Sequence, residues 1–213
     1  MNDPRAYADR TIAAYRVHAE EAVRDWGRRR RPSRFLKQFA SAFPSGGRVL
    51  DYGCGTGEEM AWLRKQGFQV EGVDGTLEFF LAARRCCPGA RIQHARFETV
   101  SLPKNRYDGV WCNAALIHVP SSERVRQLEK LKSALRPGGL LGLTLAWGRG
   151  ERFLRGDWIP GRYFAAITKP EAETLLRDWE IRWFKTVSGD GRNGRWIQIL
   201  AAWDNGKHGG SLP

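Results

Sequence analysis

The stretch that most constrains this chain is Arg48 to Glu59, RVLDYGCGTGEE. Val49 and Leu50 read as the end of a buried strand, with Asp51 at its tip. Gly53, Gly55 and Gly57 then alternate through a tight turn that feeds the helix-like run Glu58 to Gln66. Glycine tolerates backbone angles that a Cβ forbids, and it lets a ligand approach the main chain with a helix N-terminus behind it. Strand, glycine turn and helix in that order open an α/β sheet whose ligands lie outside the carboxyl ends of its strands.

The chain that follows keeps to that plan. Strands are expected at Phe68–Val73, Arg91–His94, Tyr107–Cys112 and Leu140–Ala146, with helices over Leu77–Arg85 and Ser121–Leu135 between them. Ser121 or Ser122 is the expected N-cap of the latter helix. After Ala146 the periodicity is lost through Trp147–Lys169, a segment rich in Gly, Arg and aromatics. A helix from Pro170 to Asp178 and an antiparallel hairpin, Glu180–Thr186 with Arg195–Trp203, close the chain. Before the glycine turn, residues 4–26 read as one helix. A second, starting at Pro32 and Ser33, carries Phe35, Leu36, Phe39 and Phe43 at helical spacing. Both are expected to form a lid in front of the first strand.

With 213 residues, 42% of them apolar, the chain can bury one sizeable core. The expected division is a single domain over residues 1–204 with a flexible tail at 205–213. Within it, 1–46 is a helical lid, 47–146 a cofactor-binding core, 147–169 a substrate loop and 170–204 a closing helix and hairpin. No apolar run reaches the length of a membrane span, and the polar start MNDPRAYADR lacks the apolar core of a signal peptide. The four cysteines show no CxxC spacing, so a reducing cytoplasm is expected, with no metal site. Lys and Arg exceed Asp and Glu by 35 to 23, a net +12. That excess admits a nucleic-acid partner, but Arg28–Arg31 is its one dense cluster and the other arginines are scattered, so this partner is not favoured.

Two ligands compete for the glycine turn. A dinucleotide fold wants GxGxxG, whereas here the third glycine follows the second by two places. Asp51 also stands where a pyrophosphate would meet it. A cationic ammonium or sulfonium is favoured there instead, and S-adenosylmethionine carries both. Asp74, at the end of VEGVD, can accept hydrogen bonds from both hydroxyls of a ribose, a feature that NAD folds share.

DYGCGTG, VDGT, YDGVWCNAALIHVP and LRPGGLL, in that order, resemble the successive motifs of class I S-adenosylmethionine-dependent methyltransferases over residues 47–146. More weakly, YADRTIAAY, GRYFAAITKPEAETLL and GRWIQILAAW are similar to bacterial small-molecule methyltransferases of the tellurite-resistance-related type. The resemblance implies a Rossmann-like α/β fold: a seven-stranded, mostly parallel sheet with an antiparallel last strand, and helices on both faces. It implies S-adenosylmethionine as cofactor, with Gly53, Cys54, Gly55 and Gly57 at its methionine part and Asp51 near the amino group. It places Asp74, Gly75 and Thr76 at the ribose, and Asn113 and Ala114 at the transfer site. Arg96 and Phe97 match the adenine position. Arg96 departs from the pattern, because a guanidinium cannot accept a hydrogen bond from the adenine amine.

His118, in ALIHVP, is the candidate general base if the acceptor must lose a proton; the alternative is a packed histidine bonded to a backbone carbonyl. Tyr7 and Arg10 could close over the cofactor. Tyr15, Trp147, Trp158, Arg162 and Tyr163 are the candidate acceptor contacts. No [DN]PPY follows strand four, and Cys54, Cys86, Cys87 and Cys112 read as structural. The leading function is methyl transfer to a small-molecule O, N or S nucleophile or a metalloid oxyanion. An RNA methyltransferase, a NAD-dependent oxidoreductase and a non-catalytic cofactor-binding protein stand as alternatives, and the oligomeric state is open.

Overall fold

The structure is a computed structural model that describes residues 4–27, 32–156, 158–189 and 194–203. The Arg28–Arg31 run, most of the turn between the closing strands and the tail from residue 204 lie outside the described residues.

The strands are Arg48–Tyr52 (β1), Gln69–Asp74 (β2), Arg91–His94 (β3), Tyr107–Asn113 (β4), Leu135–Ala146 (β5), Glu151–Phe153 (β6), Tyr163–Ala165 (β7), Glu180–Ser188 (β8) and Arg195–Ala202 (β9). The helices are Pro4–Val17 (α1), Ala19–Gly27 (α2), Arg34–Ser41 (α3), Glu58–Lys65 (α4), Leu77–Cys86 (α5), Ser121–Ala134 (α6) and Lys169–Leu175 (α7). One sheet has seven strands in the order β3-β2-β1-β4-β5-β9-β8. β1 to β5 pair in parallel, and β9 runs antiparallel between β5 and β8. The expected Rossmann-like sheet with its antiparallel last strand is therefore present. β5 begins earlier than expected: Leu135 pairs with Tyr107 and Leu140 with Gly109, and Pro137 to Gly139 bulge between them.

Both faces of the sheet are covered, which is why β1, β4 and β5 read as nearly continuous apolar runs. Successive residues of a strand point to opposite faces. Leu50 joins Leu128, Leu131 and Leu143 under α6, while Val49 joins Phe35, Phe39, Met60 and Trp111 under α3 and α4. α3 is thus part of the core and not of a lid. Its seat needs Gly142, where a Cβ would stand 2.6 Å from the Trp111 ring and 2.8 Å from Phe39. The Ser33 hydroxyl caps α3, accepting the Leu36 N–H at 3.0 Å.

Three other expectations are corrected. The first helix breaks at His18 into α1 and α2, which, with α3 in the core, are what is left of the expected lid. Tyr15, Ala19 and Ala22 pack there with Phe79 and Ile159 in a third, smaller cluster. Neither Ser121 nor Ser122 caps α6: Pro120 holds the cap position, and the Ser121 N–H donates to the Glu151 carboxylate at 3.0 Å. Trp147–Lys169 is not irregular throughout, because β6 and β7 form a short hairpin. These strands are too short for a period to show. They are ordered from outside, the Tyr7 ring of α1 stacking on Phe153 at 5.6 Å.

Candidate active site

The glycine turn joins β1 to α4 above the end of β2. Gly53 takes φ +88°, and a Cβ there would lie 2.5 Å from that of Ala115, so no other residue fits. The N–H groups of Gly53 and Cys54 both donate to the Val73 carbonyl, at 2.9 and 3.0 Å. Asp74 completes the stitching: Oδ2 accepts the Gly55 N–H at 2.9 Å and Oδ1 the Thr76 N–H at 2.8 Å. Gly57 faces away from this turn. Its α-carbon packs on α5, where a Cβ would come within 3.0 Å of the Ala83 backbone.

Acid is concentrated here. Asp51 is 2% exposed, and its Oδ2 finds no hydrogen-bond partner among the described residues. Burial, with Glu59, Asp74 and Glu58 adding repulsion, pushes the Asp51 carboxyl well above the usual carboxylate range. Burial raises Asp74 as well, against the main-chain donors of Thr76 and Gly55. Glu59, in the first turn of α4, accepts from Trp111 Nε1 at 2.6 Å and from Asn113 Nδ2 at 3.1 Å. A negative rim around bare main chain suits a cation that also carries hydroxyls. It fits S-adenosylmethionine and disfavours a pyrophosphate.

The turn opens into a cavity of about 620 Å³ that continues under the lid. On the far side stands a second polar group. His118 lies in the 3₁₀ turn after β4, its Nε2 2.7 Å from the Tyr15 hydroxyl and its Nδ1 2.7 Å from the Tyr163 carbonyl. Arg162 donates from Nη1 to the same hydroxyl at 3.1 Å. Burial, then the positive charge of Arg162, holds His118 down at about 4. Beneath it the buried Arg124 ties the turn to the hairpin, donating to the carbonyls of Leu116 at 3.3 Å and Ala165 at 2.5 Å.

Of the residues expected at the cofactor, Gly53, Cys54, Gly55, Asp74, Gly75, Thr76, Arg96, Phe97, Asn113 and Ala114 line this one cavity. The Phe97 ring stacks on Tyr52 with centroids 4.3 Å apart, and Arg96 is ion-paired with Asp9 of α1. Asp51 and Gly57 do not line the cavity: Asp51 is buried behind the turn, and Gly57 packs on α5. Tyr15, His118, Trp158 and Arg162 line the acceptor side. Tyr7, Arg10, Trp147 and Tyr163 do not. Tyr7 stacks on Phe153 and meets Tyr163 edge-on, and the Arg10 guanidinium sits 3.9 Å over the Phe153 ring, so both hold the hairpin. Trp147 is 40% exposed under Arg195, and Tyr163 contributes its backbone carbonyl to His118. Sequence reasoning missed Glu59, although it lies in the opening stretch, and Trp26, which touches the turn at Gly55 from α2. Nothing in the local pattern of Trp26 distinguishes it from a core tryptophan.

Comparison with known proteins places the chain in a family. The chain is 32% identical over 129 residues to the malonyl-[acyl-carrier protein] O-methyltransferase of Enterobacter lignolyticus, covering 61% of this chain and 49% of that protein. It is 33% identical over 110 residues to the trans-aconitate 2-methyltransferase of Variovorax paradoxus, covering 51% of this chain and 42% of that one. The chain thus spans about half the length of these curated relatives. Among solved structures, the 1,6-didemethyltoxoflavin-N1-methyltransferase of Burkholderia thailandensis, bound to 1,6-didemethyltoxoflavin and S-adenosylhomocysteine, shares the fold at a TM-score of 0.78. That match has 21% identity over 96% of this chain and 92% of that one. A family model described as a methyltransferase domain matches residues 26–200, from the lid into the last strand. On that match the chain belongs to the methyltransferase domain family, of the class I type that uses S-adenosylmethionine.

Proposed function

We propose that the protein transfers a methyl group from S-adenosylmethionine to a small molecule held between the glycine turn and the Tyr15–His118–Arg162 cluster. The observation that carries this reading is the single cavity joining the two. When bound, the cofactor supplies a methyl group on a sulfonium, an electrophile that needs no protein nucleophile. The chain binds, orients and excludes water. Each Asp74 oxygen takes one main-chain N–H and keeps a second acceptor site for a ribose hydroxyl. Gly53 and Gly55 leave the main chain bare at the methionine part, with Glu59 on the cavity wall supplying negative charge for the ammonium and Asp51 buried behind the turn. Phe97 and Arg96 flank the adenine, and Asn113 and Ala114 the transfer point. His118 does not offer a bare nitrogen to the cavity, which argues against its use as a direct general base.

The relatives' names include an O-methyltransferase and an N1-methyltransferase, so the reacting atom has to be argued from this cavity. The likeness of both chain ends to the tellurite-resistance-related type keeps a metalloid oxyanion within the acceptor class. Among the described residues no helix is long and apolar enough to cross a membrane. Cys54, Cys86, Cys87 and Cys112 are free thiols, which supports a reducing cytoplasm.

Calorimetric titration with S-adenosylhomocysteine and with NAD tests the proposal. Tight binding of the first and none of the second is expected, and the reverse would sink it. Steeply salt-dependent RNA binding that fades when Arg28–Arg31 are neutralised would move the acceptor class to RNA.

A further inference from the structure

The cavity has a second wall, made by the sheet itself. Asn113 of β4 pairs with Thr144 of β5, and Thr144 pairs with Gln198 of β9. Side chains paired in this way share one face of a sheet, and all three line the cavity. The row beneath them on that face, Trp111, Gly142 and Leu200, is apolar. Polar side chains therefore begin where the strands run out. Thr144 is 4% exposed, and its Oγ1 has no hydrogen-bond partner among the described residues. A buried hydroxyl left in that state is destabilising, and a polar group bound beside it would relieve the cost. Asn113 is held in one orientation. Its Nδ2 donates to both Glu59 oxygens, at 3.1 and 3.2 Å, and a carboxylate can only accept. The amide oxygen is thereby turned away from Glu59 as an acceptor.

We infer that this row is the subsite for an uncharged, amide-like edge of the methyl acceptor. An N–H or O–H of the acceptor donates to Asn113 Oδ1, and a carbonyl accepts from Thr144 and Gln198. This deepens the methyltransferase reading above and rests on it. Neighbouring strands lie about 4.8 Å apart, so one flat amide or lactam edge can reach Asn113 and Thr144 together. Trp62, one turn along α4 from Glu59, and Trp196, on the same face of β9 as Gln198, also line the cavity and suit a flat group. Arg162 serves a different part of the acceptor. It is 7% exposed and lies with Tyr15 on the lid side of the same cavity. An ionised carboxylate or phosphate on the acceptor would go to that guanidinium. The row, with three uncharged side chains and the Asn113 oxygen foremost, reads the uncharged part.

The test uses the full chain saturated with S-adenosylhomocysteine and three small probes: 2-pyridone, its N-methyl derivative and benzoate. Nitrogen-15 NMR follows the side-chain amide of Gln198, identified as the resonance lost in Gln198→Met. 2-Pyridone should shift it saturably. The N-methyl probe keeps the carbonyl but has no donor for Asn113, so it should bind at least about 10-fold more weakly. Benzoate should leave the resonance unmoved. Thr144→Val should weaken 2-pyridone about 10-fold and Thr144→Ser less than about threefold, with S-adenosylhomocysteine affinity within about twofold in both. Thr144→Val should also melt no lower than wild type, because it removes a hydroxyl that has no partner. The inference is overturned by no saturable shift with 2-pyridone, by equal binding of the N-methyl probe, or by an equal shift with benzoate. A Thr144→Val variant that melts lower, or that binds 2-pyridone as wild type does, overturns it too. The methyltransferase reading falls separately, if wild type fails to bind S-adenosylhomocysteine.

Discussion

The two ends of the cavity are built from different material. The cofactor end is main chain: Gly53 and Gly55 present bare backbone, and Asp74 is fastened by the N–H groups of Gly55 and Thr76. All of this comes from one short run between Asp51 and Thr76. The acceptor end is side chain. Tyr15 meets His118 across 103 positions of sequence and Arg162 across 147. Backbone geometry permits few substitutes, whereas a hydroxyl, a ring and a guanidinium can be exchanged without disturbing the sheet. The cofactor end should therefore be brittle and the acceptor end adaptable.

The sharpest way to break that contrast is Gly53→Ala. The added Cβ would meet that of Ala115 at 2.5 Å, at a φ that L side chains rarely adopt. A loss of about 3 kcal/mol is expected, lowering Tm by roughly 6–12 °C, with no measurable S-adenosylhomocysteine binding. A variant that bound the cofactor normally would show the turn to be softer than its contacts indicate.

The two ends also answer pH with opposite signs. His118 drops from 6.5 to about 4 on folding, so the native state binds fewer protons than the unfolded chain between those values. Its contribution is present above about pH 6.5 and is lost as pH falls toward about 4, at most about 3 kcal/mol in total. Thermal melts from pH 7 to 4 should fall less steeply for His118→Gln than for wild type. At the cofactor end, burial raises Asp51 and Asp74, so their contribution is present below the ordinary carboxylate pKa and is lost as pH rises through the raised values.

This difference in material also decided what could be read from sequence. The glycine spacing, Asp51 and Asp74 lie within one strand–turn–helix–strand unit, and their local pattern carries their role. The sheet was legible for the same reason, since its buried parallel strands are short apolar runs between helices. The β6–β7 hairpin was not, because Phe153 and Tyr163 are ordered by Tyr7 and Arg10 from the opposite end of the chain. His118 stood out by residue type, but its two partners are a carbonyl and a phenol that no spacing rule brings together. Tyr7 and Arg10 lie on α1, as a lid would require, but they face the hairpin and not the cavity.

Smaller effects separate support from contact at the cofactor end. Asp74→Asn keeps one acceptor oxygen but turns an N–H toward one of the two main-chain donors. Affinity for S-adenosylhomocysteine should fall about 10- to 100-fold by calorimetry, with the fold retained. Asp51→Asn should act in two directions at pH 7. Removing a buried carboxyl that burial and three acidic neighbours disfavour as an anion should stabilise the protein by about 1–2 kcal/mol, while cofactor affinity weakens. A stability gain without a binding loss would make Asp51 a relic of the turn and leave Glu59 as the acid that matters.

The smallest expected effect tests what holds the lid. α1 reaches the body of the protein through an ion pair between Asp9 and Arg96, and through a buried hydrogen bond from the Tyr163 N–H to the Thr11 hydroxyl at 2.9 Å. The ion-pair side chains are 53% and 42% exposed, so water and salt screen them, and such pairs contribute about 0.2–1 kcal/mol. Asp9 does not line the cavity, so Asp9→Asn isolates the latch from the ligand contacts of Arg96. Tm should change by less than about 4 °C, and by no more in 1 M salt than in 0.1 M. Thr11→Val, which leaves the Tyr163 N–H unsatisfied, should cost more, about 1–3 kcal/mol. If the exposed pair proved the stronger latch, the lid would be held by charge at its rim, and the side-chain end of the cavity would open with ionic strength.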